Sequence, residues 1–306
     1  MLATIAICTL NRAESLRRTL ESLVAMQIPN GLPWEVVVIN NGCTDHTDEI
    51  IASFAKRLPI RRHIEPQRGV SRARNRAVDM AKGDYIVWTD DDVVVDPGWL
   101  AAYTEAFRRW PAAALFGGRI LPRYELPEAE WLRACEHMLQ LPYAVRDLGD
   151  APFRFSSSVG PYPFGANFAV RAAEQRRVRF DTNMGMAPGR NRIGDETFVI
   201  SRILATGAIG YWVPDARVEH CIGRERQTTS YIARYFAAHE NTNAFISKPS
   251  YTGPLLFGVP RWMWRRIAES WIRYHVHRLI SPPPVWMTHL RNYGCLKGSF
   301  QYWRNG

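Results

Sequence analysis

Tyr85-Ile86-Val87-Trp88-Thr89-Asp90-Asp91-Asp92-Val93 is the stretch on which the reading of the chain depends. Four β-prone residues run as a buried strand would, and three carboxylates follow before Pro97-Gly98-Trp99 opens a helix. Adjacent carboxylates repel, so a compact fold keeps three of them at a strand end chiefly where a cation is bound; a solvated acidic turn is the alternative. In an extended chain Asp90 and Asp92 face one side and Asp91 the other. That geometry suits a hard divalent ion, Mn2+ or Mg2+, whose shell is completed by water and substrate phosphates.

Upstream, strands and helices alternate. Ala3–Thr9 reads as a buried strand, and Asn11-Arg12-Ala13-Glu14 as a capping box that opens a helix with Leu16, Leu20, Leu23 and Val24 on one face. Trp34–Asn40 is a second strand, and Gly42-Cys43-Thr44-Asp45 a turn and N-cap before a helix carrying Ile50, Ile51, Phe54 and Leu58. A strand at Ile60–Ile64 and a helix across Ser71–Ala81 lead back to Tyr85. Such alternation predicts an α/β fold with a mostly parallel sheet flanked by helices, and a ligand site beyond the carboxyl ends of the strands. Thr9, Asn40 and Asp90 all stand at such ends.

At 306 residues, 46% hydrophobic and 22% charged, the chain can bury the core of one large α/β domain with appendages or of two smaller ones. Its five cysteines, Cys8, Cys43, Cys135, Cys221 and Cys295, lack CxxC spacing, which argues for a reducing compartment and against a disulfide framework or structural zinc. The first apolar run is too short for a signal peptide and has no basic leader, and no stretch approaches the ~20 apolar residues of a membrane span. The expected location is cytoplasmic, or peripheral at the cytoplasmic face of a membrane. The net charge of +10 is concentrated in the tail, where residues 261–306 hold eight Lys+Arg against one acid, Glu269. There Trp262, Trp264, Ile267, Trp271, Ile272 and Leu279 are interleaved with Arg261, Arg265, Arg266, Arg273 and Arg278. A basic, tryptophan-rich helix of this kind lies in the headgroup layer of an anionic membrane, or packs its rings and leaves its arginines to water.

Further motifs stand in order along the chain: Gly69-Val70-Ser71-Arg72-Ala73-Arg74-Asn75, Lys82-Gly83-Asp84, Gly165-Ala166-Asn167, Gly194-Asp195-Glu196-Thr197 and Pro214-Asp215-Ala216-Arg217-Val218-Glu219-His220. With Thr9–Arg12, Asn40–Asp45 and Asp90–Asp92, they make the chain resemble a family 2 glycosyltransferase over roughly residues 3–240. The resemblance implies the Rossmann-like GT-A fold in residues 1–240, with a nucleotide-binding half (1–118) and an acceptor half (119–240), followed by a helical basic and aromatic extension at 241–306. It implies an inverting transfer of a sugar from a nucleoside diphosphate sugar to a saccharide or lipid-linked acceptor, in cell-surface polysaccharide or glycan synthesis.

It also distributes roles. Thr9, Asn11, Arg12, Asn40, Asn41, Arg74, Asp90 and Asp91 would surround the donor nucleotide. Asp92, Asp90 and His220 would surround the Mn2+ or Mg2+ ion, and Gly165, Ala166 and Asn167 would border the acceptor. Asp195 and Glu196 match the family's paired acids in reversed order, which leaves Glu196 the base by position and Asp195 its partner; first-turn helix capping would account for one of them. Arg74, early in a helix after Gly69, suits phosphates, or a surface ion pair. His220 is a ligand or a structural histidine. Relatives often carry a carboxylate at Asn40 or Asn41; an amide there makes uracil or thymine, and so UDP or dTDP, the favoured base. Residues 119–164, rich in proline and aromatics with one helix near Glu128–Leu139, read as an acceptor lid or a packed loop.

Two other classes compete. A nucleotidyltransferase acting on sugar phosphates would share the fold and metal use, but its Gly-rich basic loop is absent from Thr9-Leu10-Asn11-Arg12. A non-catalytic basic module for membrane or nucleic acid gives no reason for three carboxylates at a strand end, and nucleic acid is not the expected partner.

Overall fold

The computed structural model describes residues 1–127, 129–155 and 160–305. The chain opens with β1 (Ala3–Thr9), α1 (Ala13–Val24), β2 (Trp34–Asn40), α2 (Thr47–Ser53), β3 (Ile60–Ile64), α3 (Val70–Met80) and β4 (Tyr85–Trp88). Beyond the acidic triplet come β5 (Val93–Val95), α4 (Trp99–Arg109), β6 (Ala113–Tyr124), α5 (Glu130–Ala134) and α6 (Glu136–Leu139). Next are β7 (Phe168–Arg171), α7 (Ala172–Arg177), β8 (Met186–Ala187), β9 (Arg190–Asn191), α8 (Asp195–Ala205) and β10 (Ile209–Ile222). The chain ends with α9 (Thr229–Ser247), β11 (Leu255–Leu256), β12 (Val259–Pro260), α10 (Arg261–Ile280) and α11 (Pro283–Asn305). The helix expected over Glu128–Leu139 is two short ones broken at Cys135, and Glu128 itself lies outside the described residues.

Two compact units result. The first comprises Met1–Arg123, Ala144–Pro188 and Asp195–Cys221; the second comprises Tyr124–Tyr143, Gly189–Gly194 and the chain from Ile222 onward.

In the first unit the large sheet runs in the order β3-β2-β1-β4-β7-β6-β10-β5. β3, β2, β1 and β4 are parallel, with Thr9 level with Asn40, whereas β7 is antiparallel to both β4 and β6, and β5 to β10. β1, β2 and β4 are nearly continuously apolar because helices cover both faces, whereas β3, at the sheet edge, carries Arg61, Arg62 and His63. Successive residues alternate between two core layers. Ile5, Ile7, Val36, Val38 and Val87 join Leu16 and Leu20 of α1 and Trp99 of α4, whereas Ala6, Val37, Ile39 and Ile86 join Ala77 of α3 and Ile203 of α8.

Side-chain hydrogen bonds finish both rims of the sheet. At the amino ends of the strands Glu35 accepts from the Thr4 hydroxyl (2.7 Å), the Lys82 backbone (2.8 Å) and the Arg61 guanidinium (2.7 Å). The Lys82-Gly83-Asp84 motif therefore serves the rim away from the carboxyl ends. There a Cβ on Gly83 would stand 2.6 Å from the Thr4 nitrogen. At the other rim Asp45 caps two helices, accepting from the N–H of Ala13 (3.1 Å) and from the N–H and hydroxyl of Thr47 (3.2 and 2.6 Å). The capping box expected at Asn11–Glu14 does not form: Asn11 is left-handed (φ +53°) and Glu14 is paired with Arg17 and His46.

In the second unit α11 lies against α9. Gly294 and Gly298 allow it, since a Cβ would stand 2.8 Å from the Ala233 carbonyl at the first and 2.2 Å from that of Ala237 at the second. The rings of Trp131, Tyr274 and Trp286 join α5, α10 and α11. Among the described residues no helix is long and apolar enough to cross a membrane.

Candidate active site

The carboxyl ends of β1, β2 and β4, the starts of α3 and α8, and β10 as far as His220 and Cys221 lie within the first unit, and their acids form two groups. After Trp88 the chain leaves the strand and turns at Asp91-Asp92. The side-to-side alternation expected for Asp90 and Asp92 is lost at that turn. Asp91 and Asp92 both reach Arg12, whose Nη1 lies 2.9 Å from each, while Asp90 is directed to Arg74 at 3.5 Å. Burial pushes Asp91 up to about 6, against the pull of Arg12 and with the added repulsion of Asp92. Arg12, expected at the donor nucleotide, is thus the counter-ion that holds the acidic turn together.

The pairing of β5 with β10 sets His220 opposite Val93, and the Cys221 N–H donates to the Asp92 carbonyl at 2.8 Å. His220 Nε2 lies 3.3 Å from Asp92 Oδ1, with both residues buried. Their separation is that of two ligands sharing one ion, and a carboxylate with an imidazole is a donor set that accommodates Mn2+. Among the described residues no three His, Cys, Asp or Glu side chains stand so that they could hold one ion, and Asp90 is directed to Arg74.

Arg74 is the centre of the second group. Its guanidinium is 7% exposed and lies 2.7 Å from Asp195 Oδ2, 3.4 Å from Glu196 Oε2 and 3.5 Å from Asp90 Oδ1. The surface ion pair expected as one alternative is not what forms: Arg74 is itself buried and gathers three acids, of which Asp195 is buried and Asp90 partly exposed. Ser71 braces the same corner, its hydroxyl donating to the Met184 carbonyl at 2.8 Å and lying 3.5 Å from Asp195. Asp195 is clamped, and Glu196 less so. Burial first, and the Asp195 charge second, push Glu196 up to about 7, and Arg74 pulls the other way.

Several expected contacts are redirected. The Asn40 carboxamide accepts from the N–H groups of Gly42 (3.0 Å) and Cys43 (2.7 Å) in its own turn and donates to Asp48 of α2 (2.7 Å). Asn41 donates to the carbonyls of Glu65 and Gln67, both at 3.0 Å, and accepts from the Gly69 N–H at 2.8 Å. Both amides are thus engaged in shaping the turns after β2, a role the base-binding expectation did not include. Asn11 accepts from the Thr44 N–H at 2.7 Å, and the Thr9 carbonyl from the Asn41 N–H at 3.0 Å, so both brace the β1 and β2 turns.

The expected acceptor loop is also interior. Gly165 makes room for Arg74: a Cβ there would stand 2.7 Å from Arg74 Nη2. Ala166 is buried. Asn167 is fully enclosed, accepting from Trp99 Nε1 and the Tyr103 hydroxyl (2.8 Å each) and donating to the carbonyls of Arg119 (2.8 Å) and Ala216 (2.7 Å). It ties α4, β6 and β10 together beneath the site. Sequence reasoning gave Ser71 no role, its only signal being a polar residue beside a predicted helix start, whereas the N-cap expected at Gly42–Asp45 is the one Asp45 makes to Thr47.

The sequence model of glycosyl transferase family 2 matches residues 4–162. The chain belongs to glycosyl transferase family 2. This glycosyltransferase is 26% identical over 234 residues to the succinoglycan biosynthesis protein ExoM of Rhizobium meliloti, covering 75% of the chain and 70% of the relative. It is 24% identical over 232 residues to the glucosyl-dolichyl phosphate glucuronosyltransferase of Haloferax volcanii, covering 72% and 69%. Among solved structures, the mannosyltransferase PcManGT from Pyrobaculum calidifontis in complex with GDP-Man and Mn2+ superposes with a TM-score of 0.63 at 17% identity, over 96% of this chain and 85% of that one. S. aureus TarS 1-349 in complex with UDP superposes at 0.57 with 15% identity, over 98% and 91%. At these identities the structural likeness establishes the GT-A fold, which this glycosyltransferase shares.

Proposed function

We propose that this glycosyltransferase is an inverting enzyme that moves a sugar from a nucleoside diphosphate sugar to a saccharide or lipid-linked acceptor in polysaccharide or glycan synthesis. The observation that carries the proposal is the Arg74 cluster, which joins the acidic turn at Asp90 to the acid pair at Asp195-Glu196. Direct displacement needs one base: the acceptor oxygen bonds to the anomeric carbon, the bond to the diphosphate breaks, and the acceptor proton leaves to a carboxylate. Glu196 is that base. Its carboxyl, held up near 7, is ionised enough to accept a proton at neutral pH and basic enough to take it. Asp195, fixed by Arg74 and Ser71, aligns Arg74 and holds Glu196 in the high range by its charge.

Asp92 and His220 would hold a divalent cation, Mn2+ or Mg2+, which when bound neutralises charge on the donor diphosphate. Arg12 keeps Asp92 oriented in the meantime. ExoM is named for succinoglycan biosynthesis, and the Haloferax relative for transfer to a dolichyl phosphate sugar, which supports a saccharide or lipid-linked acceptor. UDP and dTDP are the first donors to test, with GDP and CDP beside them.

The test is a thermal-shift panel of the four nucleoside diphosphates with Mn2+, Mg2+ or chelator, followed by a transfer assay with the nucleotide that binds. A ligand at a hundred times its dissociation constant stabilises the folded state by about 2.7 kcal/mol. Metal-dependent stabilisation by one nucleotide, lost in Asp92→Ala, is the expected result. Stabilisation by none, in any metal, would remove the basis of the proposal.

A further inference from the structure

α10 carries two stripes. One is buried and includes Met263, Ser270 and Tyr274. The other runs at helical spacing through Trp264, Trp271, Ile272, Val276 and Leu279, and all five are exposed, Leu279 to 87%. The turn before α10 extends this second stripe. Phe257 is 82% exposed, its ring lies 6.1 Å from that of Trp264, and Trp264 Nε1 donates to the Leu256 carbonyl at 3.2 Å. Phe257 takes a φ of +51°, a left-handed conformation that is costly for a bulky residue. The fold therefore bears backbone strain to hold an aromatic ring in water, where it contributes nothing to a core.

Charge borders the same helix face. Arg261, Arg265, Arg266, Arg273 and Arg278 stand on α10 against a single acid, Glu269, which is already paired with Arg265 at 2.6 Å. An apolar stripe this long, bordered by arginine, is unlike the scattered hydrophobics of an ordinary surface. Tryptophan rings place an apolar body and a polar N–H across a headgroup boundary, and guanidinium groups bind phosphates in bidentate fashion. In a symmetric dimer an isologous patch meets its own copy, which would set these arginines against one another.

We propose that this surface of the second unit docks peripherally on an anionic lipid bilayer. The Phe257–Leu279 stripe enters the headgroup layer and the arginines engage lipid phosphates. No helix among the described residues is long and apolar enough to cross the bilayer.

The test is flotation of the full chain with phosphatidylcholine vesicles, with and without phosphatidylglycerol, at low and high salt. Binding only to the anionic vesicles, weakened by salt, is expected. The variant Trp271→Ser/Ile272→Ser/Leu279→Ser should bind at least ten-fold more weakly, and Arg266→Gln and Arg273→Gln about five-fold each. The substituted side chains are exposed, so all variants should keep the wild-type melting temperature and the nucleotide-induced shift. That readout separates loss of membrane docking from failure of the glycosyltransferase reading. Absence of vesicle binding at low salt, or wild-type binding by the triple serine variant, would overturn the proposal. So would a wild-type dimer that the serine variant converts to monomer with its vesicle binding unchanged, because a second copy would then be the occupant.

Discussion

Glu196→Gln should remove transfer and, at alkaline pH, make the protein more stable. In the folded chain Glu196 is pushed from its ordinary 4.5 up to about 7. A carboxyl raised in this way prefers to be protonated in the folded state. Below 4.5 both folded and unfolded chains hold the proton and nothing is lost; above 7 both have released it, and the folded chain keeps a carboxylate it disfavours. At 1.36 kcal/mol per pH unit, the ionised side chain costs the fold about 3 kcal/mol at pH 8.5 and about 1 kcal/mol at pH 5.5. Glutamine keeps the shape without the charge. The variant should therefore gain about 3 kcal/mol in urea titrations at pH 8.5 but only about 1 kcal/mol at pH 5.5, while its transfer rate falls by two orders of magnitude or more. A gain equal at both pH values, or a loss at pH 8.5, would show that the ionised carboxylate is not penalised by its surroundings. Normal transfer by the variant, together with an inactive Asp195→Asn, would move the base to Asp195.

Other outcomes follow from the same contacts. The kcat/KM of the wild-type enzyme should rise with pH through about 7 as Glu196 ionises, and Arg74→Lys, which loses the fork that reaches three acids, should move that limb upward. Arg74→Met leaves those acids without a counter-ion and should destabilise the protein by about 3–5 kcal/mol at neutral pH, with part recovered in Arg74→Met/Asp195→Asn; a loss under about 1 kcal/mol would mean the cluster carries little strain. In Gly165→Ala the new Cβ confronts Arg74, so a loss of about 1–3 kcal/mol and a fall in kcat are expected, with nucleotide binding retained in thermal-shift assays. Asn167→Leu strands two donors and two carbonyls in the core and should cost at least about 3 kcal/mol, whereas an acceptor-binding role would raise KM for acceptor with stability unchanged.

Much was legible along the chain because it depends on short-range pattern. Continuous apolar runs at Ala3–Thr9, Trp34–Asn40 and Tyr85–Trp88, separated by amphipathic helices, determine a doubly covered sheet, and the ends of parallel strands must share a rim. The order of the motifs was enough to indicate the glycosyltransferase family. What each polar side chain touches is a different kind of fact, since it depends on residues remote in sequence. Asn40 and Asn41 look like base-binding amides until the turn at Gly42 and the carbonyls of Glu65 and Gln67 take up their hydrogen bonds. Asp90 and Asp92 share a side only while the chain stays extended, and the turn after Trp88 sends them to different arginines. Composition likewise marked the tail as basic and rich in tryptophan, but only packing decided that Met263 and Tyr274 are buried while Trp271 and Leu279 face water. Local propensity and periodicity are written residue by residue; burial and the ion pairs of Arg12 and Arg74 join elements remote in sequence, Arg74 and Glu196 lying 122 residues apart, and only the folded chain brings them within reach.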